Sequence, residues 1–508
     1  MDLGQLLVSG FSIVCTPKML VMMLAAIILG VIFGALPGVS ATMAVALGVP
    51  FTYSMPAVEG IAFLVAIYCA SITGGGITAI LFKIPGVPSS APTTFDGYPM
   101  AQQGQAGKAL GVSLVCSAIG GMFAALCMFL LSPQLTQAAL SFGPSELFAI
   151  TFMGLSILTC LDSDNICRTI ISGLLGIFLA CFGIDPLLGV PRLTFGSSLL
   201  TSGIEMIPVM IGIFAVTEVL KQTQKPKTLK ATDGAGNGSV STTLPTFKEW
   251  WEIKWIIVRC AIVGTIVGIL PGAGATIASF LCYSMEVKMA KHPERFGTGY
   301  IGGIAASETA NNAATGGAMV PLLSLGIPGG NAAAIMMSAL TLKGVQMGPL
   351  LLINQPDYLA ATFASMAIAN ILMVFVSIAV AKVFAKILSI PYSILGPTII
   401  MLATIGSYAT KSAIVDVQLM AIAGIIGFVF AICKFNSAAL ILGLVLGTLC
   451  ESNLRRAVTI ANGDTLMGEF IYLLKRPITG IIMLVCVIML LLPVIKPLFS
   501  KKKNKTAA

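Results

Sequence analysis

Charge is what this chain of 508 residues has little of. Only 10% of its residues are charged, 57% are hydrophobic, and the mean hydropathy is +0.98. A soluble globular domain carries about 25% charged residues, so the solvent for this fold is lipid and length-per-domain rules for soluble chains do not apply. Histidine is nearly missing: His292 stands alone, which removes a His-Glu-x-x-His zinc pair and weighs against an intramembrane metalloenzyme. Asp162 and Asp164 sit at the edge of an apolar run, so they do not form a carboxylate dyad on two facing helices either. The 12 cysteines show no metal spacing. Cys69, Cys116, Cys127, Cys160, Cys181, Cys260, Cys282 and Cys486 fall within apolar runs and read as small buried side chains, not as a disulfide framework. Met1 to Thr16 holds no Lys or Arg; without a basic n-region it reads as an interfacial lead-in rather than a cleavable leader. The net charge of +9 lies in loops and tail, the pattern of membrane orientation rather than of nucleic-acid binding.

What is present is a series of apolar runs of about 17–25 residues, the length of membrane helices rather than of barrel strands. Two of them, 18–56 and 253–285, are interrupted. Gly-x-Leu-Pro-Gly-x-x-Ala-Thr-x-Ala runs from Gly34 to Ala44 and again from Gly268 to Ala278, with a proline offset of 271 − 37 = 234. Thr73-Gly74-Gly75 recurs as Thr315-Gly316-Gly317, and Ile84-Pro85-Gly86 as Ile327-Pro328-Gly329. Three motifs in one order indicate a duplication. The expected organisation is a first membrane repeat (1–220), a polar cytoplasmic linker (221–250), a second repeat (251–500) and a basic cytoplasmic tail (501–508). Up to Phe82 the only cation is Lys18, whereas the matching region of the second half is flanked by Lys248, Lys254, Arg259, Lys288, Lys291 and Arg295. Positive loops stay in the cytoplasm. The expected fold is therefore an all-α polytopic membrane protein of two inverted repeats, each repeat holding a re-entrant hairpin with Pro-Gly at its tip. Kinked spanning helices are the plainer alternative.

A Pro-Gly break at membrane depth frees carbonyls before it and N–H groups after it. Unpaired backbone in lipid costs several kcal/mol, roughly, so it persists where protein, water or ligand satisfies it. Helix-start amides attract anions and exposed carbonyls attract hard cations. This points to a central solute site from Pro37, Gly38, Ser40, Ala41 and Thr42 and from Pro271, Gly272, Gly274, Ala275 and Thr276, with Lys83 as a nearby point charge. A second constellation runs from Ser307 to Gly317. A carboxylate inside a membrane segment is functional by default, so Glu308, Asn311, Asn312 and Thr315, with Ser71 and Thr73 from the first half, are candidates for a coupling ion. That ion is a proton on Glu308 or a Na⁺ near Asn311, Asn312 and Thr315; no other cofactor is expected. The Pro-Gly loops 84–90 and 326–331 are rigid turns that line the pocket or act as hinges.

At these residues the chain resembles the TctA family, the large membrane subunit of tripartite tricarboxylate transporters. The resemblance rests on Gly34-Ala35-Leu36-Pro37-Gly38, Gly76-Ile77-Thr78-Ala79-Ile80-Leu81, Phe95-Asp96-Gly97-Tyr98-Pro99-Met100-Ala101 and the block from Glu308 to Gly329. It implies a multi-pass protein of the bacterial inner membrane with about 12 membrane segments, not an enzyme. It implies as partners a small membrane subunit (TctB-like) and a periplasmic solute-binding protein (TctC-like). It further implies uptake of di- or tricarboxylates driven by a cation gradient, and the leading reading of the residues adds alternating access in an elevator-like motion of one repeat-derived unit against a scaffold. An anion channel or a stand-alone organic-anion carrier is the alternative. Lys83 departs from the pattern, which commonly has Asn before Ile-Pro-Gly.

Overall fold

The computed structural model describes residues 3–36, 39–161, 166–185, 187–224, 242–272, 274–388, 392–461 and 466–503. These residues are nearly all helical, as an apolar chain in lipid requires, since every backbone polar group must find an internal partner. The first half comprises α1 (Leu3–Val14), α2 (Pro17–Ala35), α3 (Ala41–Thr52), α4 (Ala57–Phe82), α5 (Thr93–Met100), α6 (Ala106–Leu140), α7 (Pro144–Leu161), α8 (Ile166–Ala180), a two-stranded antiparallel ribbon β1 (Gly183–Ile184) and β2 (Pro191–Arg192), then α9 (Ser198–Thr201), α10 (Met206–Ile211) and α11 (Thr217–Gln224). The second comprises α12 (Phe247–Ile269), α13 (Gly274–Met289), α14 (Ile301–Leu325), α15 (Asn331–Leu342), α16 (Pro349–Asn354), α17 (Asp357–Leu388), α18 (Tyr392–Lys411), α19 (Ile414–Ile432), α20 (Ser437–Ala461), α21 (Leu466–Lys475) and α22 (Pro477–Lys503).

Among the described residues, 8 helical segments are long and apolar enough to cross a membrane. The family resemblance carries an expectation of about 12 membrane segments. The difference has two causes: α3, α13 and α15 are short, and α14 is long but loaded with Ser, Glu, Thr and Asn. The polar linker also begins later than its composition suggests, because α11 carries the chain through Lys221 to Gln224. Most of the remainder of the linker lies outside the described residues. Its end, at Thr243, donates to the Gly107 carbonyl beside α6.

Around the first interruption, α2 runs alongside α4 in the same direction. Lys18 pairs with Glu59 at 2.8 Å near one end, and Gly30 and Gly34 lie against Ile67 and Ser71 further along. α3 then returns, with Gly48 against Ile67 and Thr52 beside Gly60. The second interruption repeats this arrangement. Gly264 and Gly268 of α12 lie against Ala310 and Ala314 of α14, while α13 comes back along α12 with Arg259 gripping Glu286 through two bonds of 2.8 and 2.6 Å. The correspondence extends to single contacts. Gly74 packs on Val31 and Gly317 on Thr265, one residue off the motif match, which paired Gly74 with Gly316; Gly86 faces the Gly34 carbonyl and Gly329 the Gly268 carbonyl.

α4 and α14 meet antiparallel at the centre. Cys69 lies 3.9 Å from Thr315, Thr73 bonds Asn312 at 3.2 Å, and Gly76 abuts Glu308. Each half also holds the other. Buried Asp96 of α5 accepts from the Gly297, Gly299 and Tyr300 amides and from the Tyr283 hydroxyl, at 2.8 to 3.0 Å, so it caps the start of α14 from the opposite half. Lys343, just past α15, donates to the Met55 carbonyl at 2.6 Å, between α3 and α4.

Lys83 occupies a left-handed position (φ 57°) closing α4, as Gly326 (φ 70°) closes α14. That conformation costs a side-chain residue roughly 1–2 kcal/mol and glycine nothing. Lys83→Gly is expected to raise thermal stability by about 1 kcal/mol, measured as a higher midpoint in detergent; an unchanged midpoint counts against strain at this cap.

Candidate functional site

The elements after the two interruptions converge on one cavity of about 540 Å³. One side is Ser40, Ala41 and Thr42 at the start of α3, with Tyr68 and Ile72 of α4 and Val87 to Ser89 of the following turn. The other is Gly272 and Gly274 to Ile277 at the start of α13, with Gly330 to Ala332 at the start of α15. Asn436, Ser437 and Ala438 bring the start of α20, and Thr217, Glu218 and Lys221 bring α11. Four helix N-termini therefore open onto the same space. The first N–H groups of a helix have no intrahelical acceptor, and the helix dipole makes each end attractive to negative charge by about 0.3–1 kcal/mol, more where partly buried.

Local sequence explains these starts. Ser40 is the N-cap of α3, and its hydroxyl accepts from Met43 N at 3.1 Å. The Met43 amide is thereby consumed, which leaves those of Ala41 and Thr42 at the cavity. Gly272 (φ 82°) and Gly274 (φ 62°) take left-handed backbone that other residues resist, and the Gly272 N–H donates to the Gly329 carbonyl at 3.1 Å, tying the second interruption to its Ile-Pro-Gly loop. α15 begins at Gly330 with no side-chain cap. Asn436 caps α20 through the amides of Ala438 and Ala439.

Of the predicted solute residues, the structure brings together Ser40, Ala41, Thr42, Gly272, Gly274, Ala275 and Thr276. Pro271 is buried and packs toward Gly154 of α7 instead of lining the space. Pro37 and Gly38 lie outside the described residues. Lys83 stands apart: its side chain is exposed, 5.5 Å from the Tyr98 ring, and does not line the cavity. The residues the sequence did not single out are Thr217, Glu218, Lys221, Asn436 and Ser437. Asn436-Ser437 before an apolar run is a helix-start signal, but nothing local says which space it faces.

The second constellation is sealed in the α4–α14 contact. Glu308 is fully buried; Thr93 donates to one carboxylate oxygen at 2.5 Å and Ser117 to the other at 3.0 Å. Ser307 meets Thr93 at 2.9 Å. Asn311 reaches Ser90 at 3.4 Å, and Ser90 is the chain neighbour of the cavity residue Ser89. Thr73 donates to Asn312, Thr315 to the Asn312 carbonyl at 2.6 Å, and Ser71 to the Tyr68 carbonyl at 2.9 Å. Ser113 Oγ and Asn311 Oδ1 are buried without a hydrogen-bond partner, and Ser113 Oγ and Glu308 Oε1 both face Gly76. A buried orphan oxygen costs about 1–3 kcal/mol. A buried carboxylate with no cationic partner, beside one such oxygen and one helical turn from the other, is a donor set suited to a small hard cation or an exchangeable proton.

Comparison with known proteins places the chain among sequences of one transporter family. The profile of the tripartite tricarboxylate transporter TctA family matches residues 20–442. An uncharacterized 52.8 kDa protein in TAR-I ttuC' 3'region of Agrobacterium vitis is 36% identical over 499 residues, 98% of this chain and 98% of that protein. An uncharacterized protein in TAR-II ttuC' 3'region of the same organism is 39% identical over 236 residues, 46% of this chain and 96% of that protein. No solved structure matches.

Proposed function

This chain belongs to the TctA family of tripartite tricarboxylate transporters, a multi-pass membrane family of transporter subunits and not of enzymes, and on that premise we propose that it imports a di- or tricarboxylate through the cavity between its two interrupted segments. The carrying observation is the meeting of four helix N-termini on one space of about 540 Å³, which offers an anion many amides at a depth where few other charges are found. In this reading α2–α3 and α12–α13 are re-entrant hairpins of two inverted repeats; the antiparallel contact of α4 with α14 and the paired glycine contacts support it.

Uptake is coupled to a cation gradient. Glu308, Asn311 and Ser113 would hold a Na⁺, or Glu308 a proton. The oxygens at Asn312 and Thr315 are engaged in hydrogen bonds and suit this role less well. Alternating access moves the cavity-bearing hairpins against the surrounding helices in an elevator-like step. Membership of a tripartite transporter family supports operation in a bacterial inner membrane with a small membrane subunit and a periplasmic binding protein.

The test is uptake of labelled citrate and succinate into proteoliposomes holding the chain and its partner subunits. Saturable accumulation that follows an imposed Na⁺ or H⁺ gradient is expected; linear flux indifferent to the gradient would overturn the reading in favour of a channel. Thr276 is exposed within the cavity lining, so Thr276→Trp should fill the space and stop uptake with little change in melting midpoint. Full-rate uptake by that variant would remove the cavity from the transport path.

A further inference from the structure

Among the described residues that line the cavity there is one cation, Lys221, and one anion, Glu218. They are one helical turn apart on α11, and Lys221 Nζ donates to Glu218 Oε2 at 2.7 Å. The other Glu218 oxygen accepts from Gln222 at 3.2 Å. The pair does not sit in the middle of the space. A second cavity of about 340 Å³, bounded by Gln222, Gln224, Phe428 and Ile432, shares Glu218, Lys221 and Ala431 with the first. The ion pair therefore stands at the junction of the central cavity and an outer vestibule, on the side where α11 leads into the basic linker.

Helix N-termini and hydroxyls satisfy one carboxylate without a full positive charge. They discriminate poorly between an acid with one carboxylate and an acid with several, because each offers only a partial charge. A second carboxylate at the junction needs a whole opposite charge, and a lysine on a flexible stem delivers one as a point charge. Its present partner is easily exchanged: the two side chains are 47% and 22% exposed, and a half-solvated pair of this kind holds itself by well under about 1 kcal/mol.

We propose that Lys221 is the charge-selecting residue of the cavity: it leaves Glu218 to take the additional carboxylate of a polyanionic solute, and Glu218 holds it in place when the solute is absent or carries one charge. This rests on the carboxylate reading of the cavity given above. It makes Glu218 a competitor of the substrate, so removing the Glu218 charge should tighten binding, which a purely structural ion pair would not do.

The experiment is binding of citrate, succinate and butyrate to the purified full-length chain in detergent, read by calorimetry and by thermal shift. Wild type should rank citrate and succinate above butyrate. Lys221→Gln should weaken citrate and succinate at least tenfold and leave butyrate unchanged. Lys221→Arg should keep the wild-type ranking, which also shows that the position tolerates substitution. Glu218→Gln should tighten citrate several-fold. Citrate affinity unchanged in Lys221→Gln, or weakened in Glu218→Gln, overturns the proposal while the carboxylate cavity stands. A wild-type chain that binds none of the three acids overturns the carboxylate reading and this inference with it.

Discussion

Glu308→Gln is expected to abolish gradient-driven uptake while leaving a folded protein. The side chain is fully buried on α14 and receives two hydroxyls, from Thr93 and Ser117, with no cationic side chain among its described partners. Glutamine keeps the length and one acceptor oxygen but removes the exchangeable proton and the negative charge that a cation would need. The cost of one mispaired hydroxyl is about 1–3 kcal/mol, which a membrane bundle of this size survives. Uptake should fall to the leak level under both Na⁺ and H⁺ gradients, and size-exclusion chromatography should show the same monodisperse species as wild type. Accumulation at the wild-type level would take the coupling role away from this residue. A variant that still exchanges solute without accumulating it would instead support the role, since coupling and translocation would then have been separated.

Gly34→Val is expected to prevent assembly altogether. A Cβ at Gly34 would lie 1.9 Å from the Ser71 carbonyl oxygen, and the equivalent atom at Gly268 would lie 2.5 Å from that of Ala314. In both cases the obstacle is backbone on a long central helix, so nothing can rotate away. Overpacking a core usually costs about 1–3 kcal/mol; here two helices must separate along their shared face, and the Gly86 and Gly329 loops, which sit on the carbonyls of Gly34 and Gly268, must move with them. Loss of folded protein from the membrane fraction is the expected result for Gly34→Val and for Gly268→Val. Gly330→Ala is the control: nothing lies within 4 Å of its added Cβ and its backbone is extended, so it should assemble normally. Normal yield of Gly34→Val would mean that α2 and α4 do not approach as closely as described.

Much of the fold was legible before any coordinates. Low charge and long apolar runs dictate helices in lipid, and the three repeated motifs predicted that Gly34 and Gly268, and Gly86 and Gly329, would play matching parts. Their packing against equivalent carbonyls is what that repetition required. Glu308 and Asn311 stood out because polar residues are rare among apolar ones, and rarity is visible in one dimension. Lys83 stood out for the same reason. It is conspicuous in sequence, but its place is fixed by the left-handed end of α4, and the side chain points to solvent rather than to the cavity.

The sequence by itself determined the solvent, the helical class and the two points where helices break, since each follows from local composition and from the hydrogen-bonding demands of the backbone. Only the tertiary structure decided what those breaks face. Thr93 and Ser117 come to Glu308 from residues about two hundred positions away, and Asn436 and Lys221 reach the cavity from helices that carry no shared motif. Such meetings depend on how helices cross, and crossing is set by the summed packing of many small residues, which no short stretch of sequence encodes.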